Sequence, residues 1–111
     1  MNKEENKNYL NKFLQRPFKN KYKVTGFTVI PNQVFFDDRL GRSELMIFWV
    51  LTLHLFRGKK YVFPSVRTIQ KEARISRPTV IKGLKNLELC GYLSIEKIAG
   101  KTSHYYLKVS I

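Results

Sequence analysis

Eight carboxylates, two histidines and one cysteine are all that the chain holds for acid–base, nucleophilic or metal chemistry. They are scattered: among Glu4, Glu5, Asp37, Asp38, Glu44, Glu72, Glu88 and Glu96, only Asp37 and Asp38 cluster outside the N-terminal stretch. His54 lies in an apolar run and His104 far from it, and with Cys90 they provide no metal-ligand spacing. No Ser/His/Asp arrangement and no phosphate-cradling glycine loop is discernible. The expectation is a protein that is not an enzyme, with no catalytic residues, no metal, no cofactor and no small-molecule ligand. His54 reads as a partly buried packing residue and Cys90 as a small core residue.

The side chains that do concentrate are cations. Lys and Arg number 21 against 8 Asp and Glu, giving a net charge of +13 and a pI near 10.1. A field of that size on a small chain favours polyanions: DNA, RNA or an anionic membrane surface. The cations interleave with hydroxyls, as in Ser65, Arg67, Lys71 and Arg74, then Ser76, Arg77, Thr79, Lys82 and Lys85, then Lys97, Lys101, Thr102 and Ser103. Such mixtures neutralise phosphates and hydrogen-bond base edges.

Positioning those groups is the task of one small domain, the size that 111 residues predicts. Such a chain buries roughly two-thirds of its unfolded surface, and 43% apolar residues exclude disorder for most of it. One cysteine allows no internal disulfide, which fits a reducing cytoplasm. The opening residues, Met1 to Asn8, are Lys/Asn/Glu-rich where a secretory signal needs an apolar run. The longest apolar stretch, Leu45 to Phe56, is too short for the ~20 residues that span a bilayer. A soluble cytoplasmic protein with no membrane partner is expected.

Residues 1–26 form a basic extension in which Tyr9, Leu10, Phe13 and Leu14 recur at helical spacing. Glu4 to Gln15 reads either as an amphipathic helix stopped by Pro17 or as a solvated tail. The folded domain is assigned to 27–111. Ile30-Pro31-Asn32 enters extended, a short turn or helix follows over Gln33 to Phe36, and Asp37-Asp38-Arg39 is turn-like. Ser43 is the expected N-cap of a first helix reaching about Phe56. Leu45, Ile47, Phe48, Trp49, Leu51, Leu53 and Leu55 make it apolar nearly all round, the pattern of a buried central helix.

Gly58 ends that helix, and Tyr61-Val62-Phe63 reads as a short strand. Ser65 caps a second helix that turns Val66, Ile69 and Ala73 inward and Arg67, Lys71 and Arg74 outward. Ser76 caps a third, in which Pro78 is tolerated in the first turn, Val80, Leu84 and Leu87 face the core, and Gly91 is the stop. Leu93 to Ile98 and His104 to Val109 form a hairpin around Ala99-Gly100-Lys101-Thr102-Ser103. A mainly α domain with a small β-hairpin (α+β) in this order is a winged helix-turn-helix.

The segments Phe63-Pro64-Ser65 through Ile69, Ile75-Ser76-Arg77-Pro78-Thr79-Val80, Leu84, Leu87 and Cys90-Gly91-Tyr92-Leu93 resemble a bacterial family. It is the winged helix-turn-helix family of plasmid and phage replication initiators, replisome organisers and related mobile-element DNA-binding proteins. Ile30-Pro31-Asn32 and Gly100-Lys101-Thr102-Ser103 followed by Tyr105 fit it too, so the resemblance covers about Phe27 to Val109. Two positions depart from it: Gln70 stands where relatives carry a small residue, and Arg74 where they place glycine in the turn. A non-glycine residue in a left-handed conformation costs about 1 kcal/mol, so either the turn is remodelled or Arg74 carries the strain and points outward.

The third helix is the expected base reader, because a helix fits the major groove and helix-turn-helix proteins reach bases from its N-terminal turns. Its candidate DNA-contacting residues are Ser76, Arg77, Thr79, Ile81, Lys82, Lys85 and Asn86. Arg77 suits a bidentate contact with guanine, while Thr79 or Ile81 suits a thymine methyl. The wing offers Lys97, Lys101, Thr102, Ser103 and His104 to the minor groove or backbone. Ser65, Arg67, Lys71 and Arg74 are placed on phosphates.

The resemblance implies sequence-specific recognition of a double-stranded origin on a plasmid or phage, for replication initiation or conjugative transfer, with replication or conjugation proteins as further partners. A chain with no second domain fits an accessory protein or a DNA-binding fragment better than a full initiator. Small modules gain operator specificity by pairing, so a homodimer on DNA is expected, with Tyr9, Leu10, Phe13 and Leu14 as a candidate contact. A small transcriptional repressor and a protein-interaction module for an acidic partner remain open alternatives.

Overall fold

The computed structural model of the chain describes residues 28–55 and 60–109. The expected N-terminal helix, Phe56, Gly58 and Lys59 lie outside them. The order of elements is α1 (Asn32–Phe35), α2 (Arg42–Leu53), α3 (Val66–Ala73), α4 (Arg77–Leu89), β1 (Leu93–Glu96) and β2 (His104–Leu107). The third helix of the sequence reading is α4.

α2 starts at Arg42, with Gly41 rather than Ser43 as its N-cap. The Gly41 amide donates to Glu44 Oε2 at 3.1 Å, so a carboxylate one turn inside the helix sets the start. The helix ends at Leu53, short of Phe56, with His54 as its C-cap. It is also not buried all round. Ile47, Phe48, Val50 and Leu51 enter the core, whereas Trp49 is 43% and Leu53 49% exposed and Leu55 is half-buried. Among the described elements α3 and α4 pack against α2, and the Trp49 indole N–H donates to the Thr28 carbonyl at 3.1 Å.

α3 and α4 pack against α2 and each other around Ile69, Ala73, Val80, Leu84 and Leu87. Gly83, absent from the sequence reading of the core, allows the closest approach: a Cβ there would lie 2.4 Å from Ile47 Cδ1. His54 is more than a packing residue, since its Nε2 meets Glu72 Oε1 at 2.5 Å and joins the end of α2 to α3.

α4 ends as Gly91 predicts. The Gly91 amide donates to Glu88 O at 3.0 Å and the Tyr92 amide to Leu87 O at 3.0 Å, with Gly91 at φ 86°. This double closure demands a left-handed residue and so favours glycine. Buried Tyr92 then reaches back to the turn after α1, donating its hydroxyl to Asp37 Oδ2 at 2.6 Å. Arg39 donates from its guanidinium to the same carboxylate. These bonds from Arg39 and Tyr92 hold the Asp37 carboxyl well below the usual carboxylate range.

β1 and β2 pair antiparallel, Leu93 with Leu107 through Glu96 with His104. Both strands are shorter than expected, stopping at Glu96 and Leu107 rather than Ile98 and Val109, so the loop runs from 97 to 103. The Tyr61–Phe63 strand contracts to a single bridge between Val62 and Tyr105. Its two reciprocal hydrogen bonds, of 2.9 and 2.8 Å, add a minimal third strand.

Candidate nucleic-acid interface

The helix–turn–helix is built by local capping. Ser65 accepts from the Thr68 amide at 3.1 Å and so fixes the start of α3, as its sequence position predicts. Between the helices Arg74 adopts φ 60°, ψ 46°, a left-handed cap at a position where glycine is free of strain, and its side chain is exposed. The turn keeps its shape and the arginine carries the cost. The Ile75 amide closes it on Gln70 O at 3.2 Å. Ser76 is the N-cap residue of α4, but its hydroxyl pairs with the Thr79 hydroxyl at 2.8 Å rather than with a helix amide.

With Val80, Gly83, Leu84 and Leu87 turned inward, α4 presents Arg77, Pro78, Ile81, Lys82 and Lys85 to solvent. Ile81, 50% exposed, lies between the arginine and Lys85 at i, i+4 spacing. An apolar group flanked by donors on an open helix face can meet a thymine methyl between polar base edges. Thr79 is half-buried. Asn86 is turned toward α2, where its Nδ2 donates to Glu44 Oε1 at 2.9 Å. Burial pushes the Glu44 carboxyl up. Hydrogen bonds from Asn86 and backbone amides, with the Lys82 charge, outweigh it and leave the group below its ordinary value.

Six of the sequence-predicted residues meet at one cleft of about 300 Å³. Ser65 and Arg67 come from the start of α3, Arg77 from the first turn of α4, and Lys101, Thr102 and Ser103 from the wing tip. Pro64, Val66 and Tyr105 complete the lining, and none of these three stood out in the sequence as a contact residue. Burial raises the Tyr105 phenol above its ordinary value, so it stays neutral. A concavity lined by three cations and four hydroxyl-bearing side chains has the donors that a sugar–phosphate backbone requires.

Lys71, Arg74, Lys82 and Lys85 are exposed but lie outside the cleft lining, as does Lys97. His104 does not join it either: its ring stacks on Tyr61, with centroids 4.1 Å apart and planes at 15°. Among the described residues no three His, Cys, Asp or Glu side chains group as metal ligands, and no helix is long and apolar enough to cross a membrane.

Among the described residues, four helices and an antiparallel hairpin, with the last helix open along one face beside the wing, define a small winged-helix domain of the α+β class. The chain belongs to a helix-turn-helix domain family, whose model matches residues 38–93. That segment runs from the turn before α2 to the first residue of β1. Helix-turn-helix domains bind double-stranded DNA. No curated protein and no solved structure matches the chain significantly.

Proposed function

We propose that the chain is a sequence-specific duplex DNA-binding protein of a bacterial plasmid or phage. It would recognise an origin for replication initiation or conjugative transfer, with α4 in the major groove and the wing on the minor groove and backbone. The observation that carries this reading is the cleft where Arg67, Arg77 and Lys101 meet, at the N-terminal end of the exposed Arg77–Ile81–Lys85 row. Phosphate donors on two sides of a base-reading helix fix its register on the duplex. The origin role rests on the family resemblance of residues 27–109. Operator recognition by pairing supports a homodimer on DNA in the cytoplasm, with replication or conjugation proteins as its further partners.

Selection from a random duplex pool, followed by anisotropy titrations on the selected site and on random DNA, tests the reading. Duplex binding gives log K falling linearly with log salt, by about 0.9 per phosphate contact, and an enriched motif matching an origin repeat. A flat salt response or an unenriched pool refutes it.

A further inference from the structure

We infer that the outer face of the wing sheet is a second nucleic-acid site, a stacking platform for unpaired DNA bases. Val62 and Tyr105 pair in the bridge, and both are buried against the core. Strand alternation therefore turns Tyr61, Phe63, His104 and Tyr106 to the opposite face, with Ser94 and Glu96 from β1. Four of those six positions carry aromatic rings. On the solvated side of a small antiparallel sheet, folding alone calls for polar residues.

The rings form one continuous surface. Tyr61 stacks on His104, its centroid lies 5.6 Å from Tyr106 and 6.2 Å from Phe63, and Phe63 lies 6.3 Å from His104. Phe63 is 50% exposed at the edge of this surface. It directly precedes Pro64 and Ser65, which line the basic cleft, so the platform adjoins that cleft.

Charge selects the occupant. Exposed Lys60, Lys97 and Lys108 flank the rings along the chain. The one carboxylate on the face, Glu96, accepts from the Tyr106 hydroxyl at 3.4 Å. Planar rings bordered by ammonium groups suit a strand that offers bases to stack and phosphates to neutralise. A duplex does not, because its base faces are already stacked inside the helix and only their edges reach the grooves. The platform is thus suited to a strand freed beside a bound duplex, whereas α4 and the cleft are suited to the duplex itself.

The test uses the full chain and three labelled probes: oligo(dT), an abasic oligonucleotide of equal length, and a random duplex. Stacking makes oligo(dT) bind at least about tenfold more tightly than the abasic strand. Phe63→Leu, which keeps an apolar group and removes the ring, should weaken oligo(dT) about tenfold while duplex affinity changes less than twofold. Phe63→Trp should restore or tighten it. Equal affinity for oligo(dT) and the abasic strand overturns the inference, since phosphate attraction alone would then account for binding. So does a Phe63→Leu loss shared equally by the duplex, or tighter binding of poly-glutamate than of oligo(dT). The comparison of oligo(dT) with the abasic strand needs no variant, so equal affinities overturn the inference even if a substitution impairs folding.

Discussion

The contact between Gly83 and Ile47 supports a double-mutant cycle whose outcome follows from geometry. A methyl at residue 83 would sit 2.4 Å from Ile47 Cδ1, more than 1 Å inside the roughly 3.5–4.0 Å separation of carbon atoms in contact. Ile47 is fully buried, so that methyl has no solvent to swing into. Gly83→Ala gains about 1 kcal/mol of helix propensity but incurs an overpacking cost of about 1–3 kcal/mol, for a net loss near 1 kcal/mol. Ile47→Val deletes the clashing carbon and by itself costs about 0.5–1.5 kcal/mol. In the double variant the alanine methyl takes the vacated space and the propensity gain is realised in full. Its stability should return to about that of the parent, roughly 2 kcal/mol better than the sum of the single changes. Urea unfolding followed by far-UV dichroism and by emission from Trp49, the only tryptophan, measures all four corners. Additivity within about 0.5 kcal/mol would refute the close packing of α4 on α2.

Three further outcomes are expected. Arg77→Ala should cost about 1–3 kcal/mol on the selected site and relax discrimination at one base pair, whereas Lys101→Ala should weaken specific and random duplex alike and lower the salt slope by about one; anisotropy titrations at several salt concentrations check both, and the assignment is falsified if the two phenotypes are exchanged. Arg74→Gly should raise stability by about 0.5–1 kcal/mol because it removes the left-handed strain, while Arg74→Ala keeps that strain and gives no such gain, as thermal melts will show. Because the folded-state pKa of Asp37 is depressed, its stabilisation is present above the ordinary aspartate value of about 3.9 and is lost as pH falls toward the lower folded value. Asp37→Asn should therefore be less stable than the parent at neutral pH, with the gap closing below about pH 4 in urea melts.

The legible parts of this chain were those encoded locally. Ser65, Ser76 and Gly91 sit at helix ends because short-range backbone geometry favours them there, and the inward spacing of Val80, Leu84 and Leu87 needs no knowledge of a partner. The illegible parts depend on what lies across the fold. Trp49 reads as core in any apolar window, but it stands away from the face of α2 that α3 and α4 cover and is exposed. Asn86 reads as an outward flank until Glu44, on another helix, draws its amide away. Arg74 posed two alternatives, and the backbone took the strained one because the turn between α3 and α4 requires a left-handed residue. At the cleft, Arg67, Arg77 and Lys101 stand out by charge, whereas Tyr105 belongs in sequence only to the wing motif, and its place in the lining follows from the bridge to Val62.

That bridge also acts as a latch. The two amides that close it, Val62 and Tyr105, donate to each other's carbonyls, so separation of the two segments frees both to exchange with solvent in one event. Exchange at the two sites should report one opening free energy, each rate scaled by that amide's own intrinsic exchange rate. The cleft residues lie on both sides of the latch, Ser65 and Arg67 following Val62 along the chain and Lys101 to Ser103 preceding Tyr105. A bound backbone that grips both sides must slow that opening, so the paired slowing of two buried amides would register occupancy of the cleft without any label on the nucleic acid.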